Sequence, residues 1–171
     1  MVKKDWTDQA LDRWAAVSSK LEAEPSQVVE RIGRIALQLG RWQDELFSRY
    51  ALNRGEVGVL YALRSVGPPH RLSPTQLSKI LMLTSAGVTN RLDGLERRGL
   101  VVRGPDPEDR RGVVVELTEA GSQLAEHAVG AFADAQGTLL SGLTVQEVKT
   151  LGRLLRKMQS GLTAETAPPI G

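Results

Sequence analysis

The chain has 171 residues, a hydrophobic fraction of 41%, a formal net charge of +2 and no cysteine. This length and composition fit one globular domain, or one domain with helical extensions. The absence of cysteine excludes disulfides, thiolate zinc sites and a thiol redox sensor, and the two histidines lie far apart in sequence, so no metal ion or other cofactor is predicted.

Two further classes of protein are disfavoured by the pattern of residues. No apolar run approaches the roughly 18–20 residues of a membrane span, and the N-terminus has no apolar signal core. We therefore expect a soluble, cytoplasmic protein that does not bind membranes. The sequence contains no nucleophile–base set, glycine-rich phosphate loop or paired carboxylates, which argues against an enzyme.

The N-terminal part is predicted to be helical. Residues 5–21 space apolar side chains, including Trp6 and Trp14, at steps of three and four residues. Residues 24–26 break this helix, and a second helix is predicted from Gln27 to Tyr50. Its apolar positions recur every 3.5 residues on average, which favours a subunit interface over a buried helix of a monomer.

The next segment is predicted to begin with three short helices. Asn53 and Glu56 form a capping arrangement for the first helix, whose apolar stripe ends at Val66. The second helix begins after Ser73, with a proline at its first position and a glutamine at its third. Its side chains Leu77, Ile80 and Leu81 are predicted to face inward. Residues 82–84 form a turn, and the third helix runs to about Arg98 and is closed by a glycine.

Two β-branched runs follow, at residues 100–103 and 113–117, and flank a charged loop. They predict a β-hairpin with a long tip, and residues 70–72 predict a short bridging strand. Thr118 is predicted to cap a long helix through about Leu140. A capping box at residues 144–147 begins a last helix with an inward face of Val148, Leu151, Leu155, Met158 and Leu162.

The third of these short helices has the residues of a DNA-reading helix. At 100° per residue, Val88, Leu92 and Leu95 face the core, while Ala86, Asn90, Asp93 and Arg97 point away. Short polar side chains fit a major groove, where asparagine can bond adenine. Charge supports this reading, because residues 54–111 carry ten Lys and Arg against six Asp and Glu. The predicted DNA contacts outside the hairpin are Ser73, Thr75, Ser85, Thr89, Asn90 and Arg97.

The hairpin tip carries Asp109, Arg110 and Arg111. An arginine on a narrow hairpin can enter a minor groove, whose negative potential attracts it, and an adjacent carboxylate can hold it in position. The other reading is a solvated charged turn. Next to a helix-turn-helix, the DNA-contacting reading is favoured.

These residues resemble the MarR-type transcriptional regulators. The resemblance covers about Leu39 to Met158, and its most specific parts are the wing motif at residues 106–111, the motif at residues 115–121 and the helix at residues 88–101. It implies a homodimer whose terminal helices interlock, a pseudo-palindromic operator, and repression relieved by a small anionic aromatic ligand. It also implies that Arg111 enters the minor groove and that Asp109 positions it.

The extra N-terminal helix resembles the urate-responsive, PecS-like branch of that family. The resemblance implies a ligand pocket that includes Trp14, Arg91 and Arg103. The branch carries an acidic pocket residue where this chain has Val57, so the resemblance does not extend to urate itself. The opposing reading gives Trp14 a role in interface packing and gives the arginines phosphate contacts.

The predicted fold is mainly α with a small β-hairpin wing, a winged helix-turn-helix flanked by N- and C-terminal dimerisation helices. Residues 1–50 and 118–162 form the dimerisation helices, residues 51–117 the DNA-binding domain, and residues 163–171 a flexible tail. The predicted function is a ligand-responsive, sequence-specific regulator of transcription, acting as a homodimeric repressor on double-stranded DNA. The alternative is a winged-helix protein-interaction module that does not bind DNA.

Overall fold

The computed structural model describes residues 4–18, 22–107, 109 and 112–163. Within these residues the chain forms helices and a small sheet. The elements are α1 (Trp6–Ala15), α2 (Ala23–Ser48), α3 (Arg54–Ser65), β1 (Arg71–Leu72), α4 (Pro74–Leu81), α5 (Ser85–Arg97), β2 (Val101–Pro105), β3 (Val113–Leu117), α6 (Glu119–Leu139) and α7 (Val145–Thr163). The predicted mainly α fold with a small wing is confirmed.

The chain divides into two compact units, residues 1–128 and residues 129–171. The first unit contains the core, which α3, α4, α5 and the sheet build together. Its most deeply buried side chains are Leu60, Leu63, Leu77, Leu92, Leu95, Val59, Val88, Val101 and Val115. This core fixes α5 against the sheet.

Side-chain caps fix where the helices of this unit begin. Asn53 accepts a hydrogen bond from the Glu56 amide at 3.0 Å, and the Glu56 carboxylate accepts one from the Asn53 amide. Ser73 and Gln76 form the same reciprocal capping box for α4, with Pro74 as the first helical residue. Both predicted caps are confirmed.

The three strands form an antiparallel sheet in the order β1-β3-β2. β2 and β3 form the predicted hairpin, with Arg103 opposite Val115. β1 is the predicted bridging strand, and it places Arg71 opposite Glu116, to which its guanidinium binds. Because β3 is central, β2 is an edge strand.

The sheet joins α6 through Thr118 and Gly121. The Thr118 amide donates to the Leu100 carbonyl at 3.1 Å. The Thr118 hydroxyl donates to the Gly99 carbonyl at 2.7 Å and accepts from the Gly121 amide at 3.0 Å. Thr118 therefore caps α6, as predicted, and also anchors the helix to the segment that precedes β2.

Four local expectations are wrong. α1 ends at Ala15, and α2 begins at Ala23, ahead of the predicted break. Pro25 then lies in the first helical turn, where a missing N–H is tolerated. Val66 and Ile80, both expected to face inward, are 46% and 52% exposed, because Val66 caps the end of α3 and α4 is only two turns long.

The second unit contains the rest of α6 and α7. Thr144 and Glu147 form the predicted capping box, and the Thr144 amide lowers the pKa of Glu147 by hydrogen bonding to its carboxylate. The face of α7 expected to be inward is exposed in the single chain, with Leu155 at 45% and Leu162 at 65%. None of the described helices is both long enough and apolar enough to cross a membrane.

Candidate nucleic-acid interface

α5 has one buried face and one face open to solvent. Val88, Leu92 and Leu95 are at most 1% exposed, which confirms the predicted helical phase. The residues on the open side are exposed, apart from the half-buried Asp93. They are Ser85, Ala86, Thr89, Asn90 and Arg97. This open face carries short polar side chains at the N-terminal end and a cation at the C-terminal end.

The first turn of α5 combines a side-chain cap with an exposed helix N-terminus. Thr84 caps the helix by accepting from the Gly87 amide at 3.1 Å. The Thr89 hydroxyl donates back to the Ser85 carbonyl at 3.0 Å, which fixes its rotamer. An exposed helix N-terminus carries a partial positive charge and attracts anions such as phosphate.

Two predicted contacts lie at the start of α4. The Ser73 hydroxyl accepts from the Gln76 amide at 3.2 Å, so its first role is to cap the helix. Thr75 follows in the first turn and is exposed. Ser73 is half-buried, so Thr75 is the more accessible of the two.

The described part of the wing tip is a tight loop around Gly112. The Asp106 amide donates to the Gly112 carbonyl at 3.0 Å, and the Gly112 amide donates to the Asp109 carbonyl at 2.8 Å. A Cβ at position 112 would lie 2.9 Å from the Asp106 Cβ, so glycine lets the loop close. Arg110 and Arg111 lie outside the described residues.

Trp14 lines a cavity of about 510 Å³ between α1 and α2. Trp14 and Trp6 are both more than half exposed, whereas Thr7 of α1, which also lines the cavity, is buried. Neither Arg91 nor Arg103 belongs to the lining, which consists of Trp6, Thr7, Ala10, Leu11, Trp14, Pro25, Ser26, Val29 and Glu30. In the single chain, this cavity therefore includes Trp14 but not the two arginines with which the resemblance groups it.

Arg31 attaches α1 to α2. Its guanidinium lies 2.7 Å from the Asp8 carboxylate and 3.2 Å from Asp5. The hydrogen bond to Asp8 lowers the pKa of that carboxyl below its ordinary value. Arg34 lies over the Trp6 ring, 4.1 Å from its centroid, and adds a cation–π contact to the same attachment.

Arg91 of α5 turns toward the protein and not toward the open face of the helix. Its Nη1 donates to the Gly87 carbonyl at 2.7 Å. Its Nε is buried without a hydrogen-bond partner among the described residues. A Cβ at Gly55 would lie 2.9 Å from the Arg91 Cζ and even closer to its Nε, so any side chain there would displace the Arg91 side chain from its place between α3 and α5.

Arg103 extends from β2 to α5. Its Nη2 lies 2.6 Å from the Asp93 carboxylate, and its Nη1 lies 3.5 Å from Glu96. Sequence reasoning missed both acidic partners. The two carboxylates lie three residues apart on α5, but nothing in the spacing identifies which of the wing arginines they bind.

A sequence model described as the MarR family matches residues 52–112. The HTH-type transcriptional regulator PecS of Dickeya dadantii is 32% identical over 152 residues, which cover 89% of this chain and 92% of PecS. The chain belongs to the MarR family. The multiple antibiotic resistance protein MarR of Escherichia coli is 32% identical over 134 residues, covering 74% of this chain and 90% of that protein. These MarR-family relatives are regulators of transcription and not enzymes.

Solved MarR-family structures share the fold. A mutant of Escherichia coli MarR in complex with operator DNA has a TM-score of 0.70 and 30% identity, covering 77% of this chain and 92% of that one. The MarR-family regulator Sco3205 of Streptomyces coelicolor, in complex with DNA, has a TM-score of 0.76 and 28% identity, covering 86% of this chain and 93% of that one.

Proposed function

We propose that this MarR-family protein binds double-stranded DNA and regulates transcription. The observation that carries the proposal is the open face of α5, where short polar side chains lie beside an exposed helix N-terminus on a helix whose other face is fully buried. Such a helix fits into a major groove of DNA. Two similar MarR-family structures hold DNA, one of them its operator.

The proposed contacts fall into three groups. Ser85, Thr89 and Asn90 contact base edges or nearby phosphates in the major groove. Ser73, Thr75 and Arg97 contact the phosphate backbone. At the wing, Arg110 and Arg111 approach the minor groove, with Asp109 holding Arg111 in position.

We propose that the functional form is a homodimer. The 3.5-residue seam of α2 includes Val28 and Ile35, which are 50% and 59% exposed in the single chain. α7 exposes Leu151, Leu154 and Leu155 in the same way. Apolar surface of this extent is stabilised when a second copy covers it. The dimer would then hold two α5 helices about one DNA turn apart, roughly 34 Å, on a pseudo-palindromic operator.

We propose that the protein is a repressor that a small molecule releases. One relative, NicR of Pseudomonas putida, is named a transcriptional repressor and is 30% identical, covering 82% of this chain and 90% of that protein. The α1–α2 cavity beside Trp14 is the proposed binding site for an aromatic effector. An anionic effector could also pair with Arg91 or Arg103, but Arg103 must first leave Asp93 and Glu96.

The experiment that tests DNA binding is the salt dependence of the affinity for duplexes from the region upstream of the chain's own coding sequence. Arg111→Ala should weaken binding to every duplex and lower the slope of log affinity against log salt by about one for each phosphate that the protein no longer neutralises. Arg13→Ala, which removes one charge from α1, is the matched control and should leave the slope unchanged. An unchanged slope for Arg111→Ala would remove the wing from the proposal.

A further inference from the structure

An ion-pair cluster joins the wing to the DNA-facing helix. The Arg103 guanidinium of β2 contacts two side chains of α5, with Nη2 at 2.6 Å from Asp93 Oδ1 and Nη1 at 3.5 Å from Glu96 Oε2. Nη2 also lies 3.4 Å from the Thr89 carbonyl oxygen. One arginine therefore spans two helical turns of α5.

The main chain of β2 takes part in the same contact. The Arg103 amide donates to Glu96 Oε1 at 3.3 Å. Because β2 is an edge strand, this N–H points away from its neighbour β3 and would otherwise face solvent. Glu96 thus accepts from the amide and pairs with the side chain of the same residue. The main chain and the side chain of Arg103 therefore both attach the wing to α5.

The pairing also changes the charge that α5 presents to DNA. Asp93 shares the outward direction of Asn90 and Arg97, and its side chain is 48% exposed. A carboxylate on that face repels phosphate, and like charges placed together weaken association. The Arg103 side chain is only 28% exposed, and its guanidinium neutralises Asp93 from the protein side.

We propose that Arg103 is a positioning residue for DNA binding. It holds the wing against α5 and neutralises Asp93, so that α5 and the wing contact DNA together. This inference rests on the proposed DNA-binding function. Arg103 affects DNA binding through its contacts with Asp93 and Glu96, and it does not itself contact a phosphate.

A rescue experiment distinguishes action through Asp93 from a direct contact between Arg103 and a phosphate. Arg103→Ala should lower the affinity for the specific duplex about tenfold, the effect of about 1.4 kcal/mol. Adding Asp93→Asn should return the affinity to within about threefold of the unsubstituted protein, because an amide needs no counter-charge. A double variant as weak as Arg103→Ala, with a salt slope lowered by about one, would show a direct phosphate contact and overturn the proposal.

Arg71→Ala is the matched control. It removes the same charge and also breaks an arginine–carboxylate pair of the sheet, but its partner is Glu116 on β3 and not a residue of α5. Asp93→Asn should not restore any affinity that Arg71→Ala loses. Rescue of both arginine variants would mean that Asp93→Asn acts through overall charge, and would overturn the assigned pairing.

A measurement without DNA distinguishes failure of this inference from failure of the proposed function. Amide hydrogen exchange of residues 101–104 of β2 should quicken in Arg103→Ala, while exchange in the α3 core stays slow. Unchanged exchange in β2 would refute the fastening even if the protein binds DNA. Faster exchange in β2 with no DNA binding by the unsubstituted protein would refute the proposed function and leave the fastening in place.

Discussion

The contact between α6 and the segment before β2 yields a prediction whose size follows from atomic distances. In Gly121→Ala the new Cβ would lie 2.8 Å from the Leu100 carbonyl carbon, 3.2 Å from its Cα and closer still to its oxygen. All three are backbone atoms, and the Leu100 residue is only 7% exposed, so no flexible side chain can yield. We expect α6 to be pushed away from Leu100.

The expected cost has three parts. Overpacking of a tight contact costs about 1–3 kcal/mol. The shift also weakens two hydrogen bonds of Thr118, to the Leu100 and Gly99 carbonyls, at about 1 kcal/mol each. Alanine in a helix recovers about 0.5–1 kcal/mol relative to glycine. The net loss should therefore be about 2–4 kcal/mol.

Equilibrium urea unfolding, followed by far-UV circular dichroism at one protein concentration, measures this loss. Gly130→Ala is the matched control in the same helix, because a Cβ there meets nothing within 4 Å. It should leave stability unchanged or raise it by up to about 1 kcal/mol. If Gly121→Ala were as stable as Gly130→Ala, the close approach of α6 to Leu100 would be refuted.

Three further predictions concern α5 and the attachment of α1. Asn90→Ala should change which bases are preferred more than it changes overall affinity, as measured by selection from randomised duplexes; an unaltered preference would contradict base reading. The pKa of Asp8 is lowered mainly by its hydrogen bond with Arg31, so the stabilisation it provides is full above the unfolded-state pKa and is lost as pH falls through the lowered pKa. Tryptophan fluorescence during acid titration should report that loss, and Asp8→Asn should abolish the transition. Trp14→Ala should remove the thermal stabilisation given by aromatic carboxylates or purines, and stabilisation that survives would locate the effector elsewhere.

Much of the DNA-facing unit could be predicted because its signals are local. The helical phase of α5 placed Val88, Leu92 and Leu95 in the core, where each is at most 1% exposed. Capping depends on residues three positions apart, so Asn53 and Ser73 fixed the starts of their helices. Strand propensity located β2 and β3.

Other features depend on packing between distant residues, which spacing does not reveal. The amphipathic pattern of α4 is too short to define its buried face, and Ile80 is exposed. Spacing offers no reason to pair Arg103 with Asp93, because several other acidic residues lie nearer to Arg103 in the chain. The grouping of Trp14 with Arg91 and Arg103 came from resemblance, and the cavity beside Trp14 contains neither arginine.

The exposed apolar seam of α2 is a feature that the sequence predicts only in part. Its 3.5-residue period predicts a partner helix but does not say whether that helix belongs to the same chain. Val28 and Ile35 remain at least half exposed in the single chain. Counting protomers in solution distinguishes a second copy from a helix of the same chain as the partner of this seam.

The most direct test of the whole account is a titration of the folded protein into a labelled duplex from its own upstream region, with sedimentation to count protomers. We predict two protomers per specific duplex, an affinity at least about 10³-fold above that for random duplex, and a linear fall of log affinity with log salt. Equal affinity for all duplexes, or no salt-dependent binding by a well-folded dimer, would contradict the account and favour a winged-helix module that binds another protein.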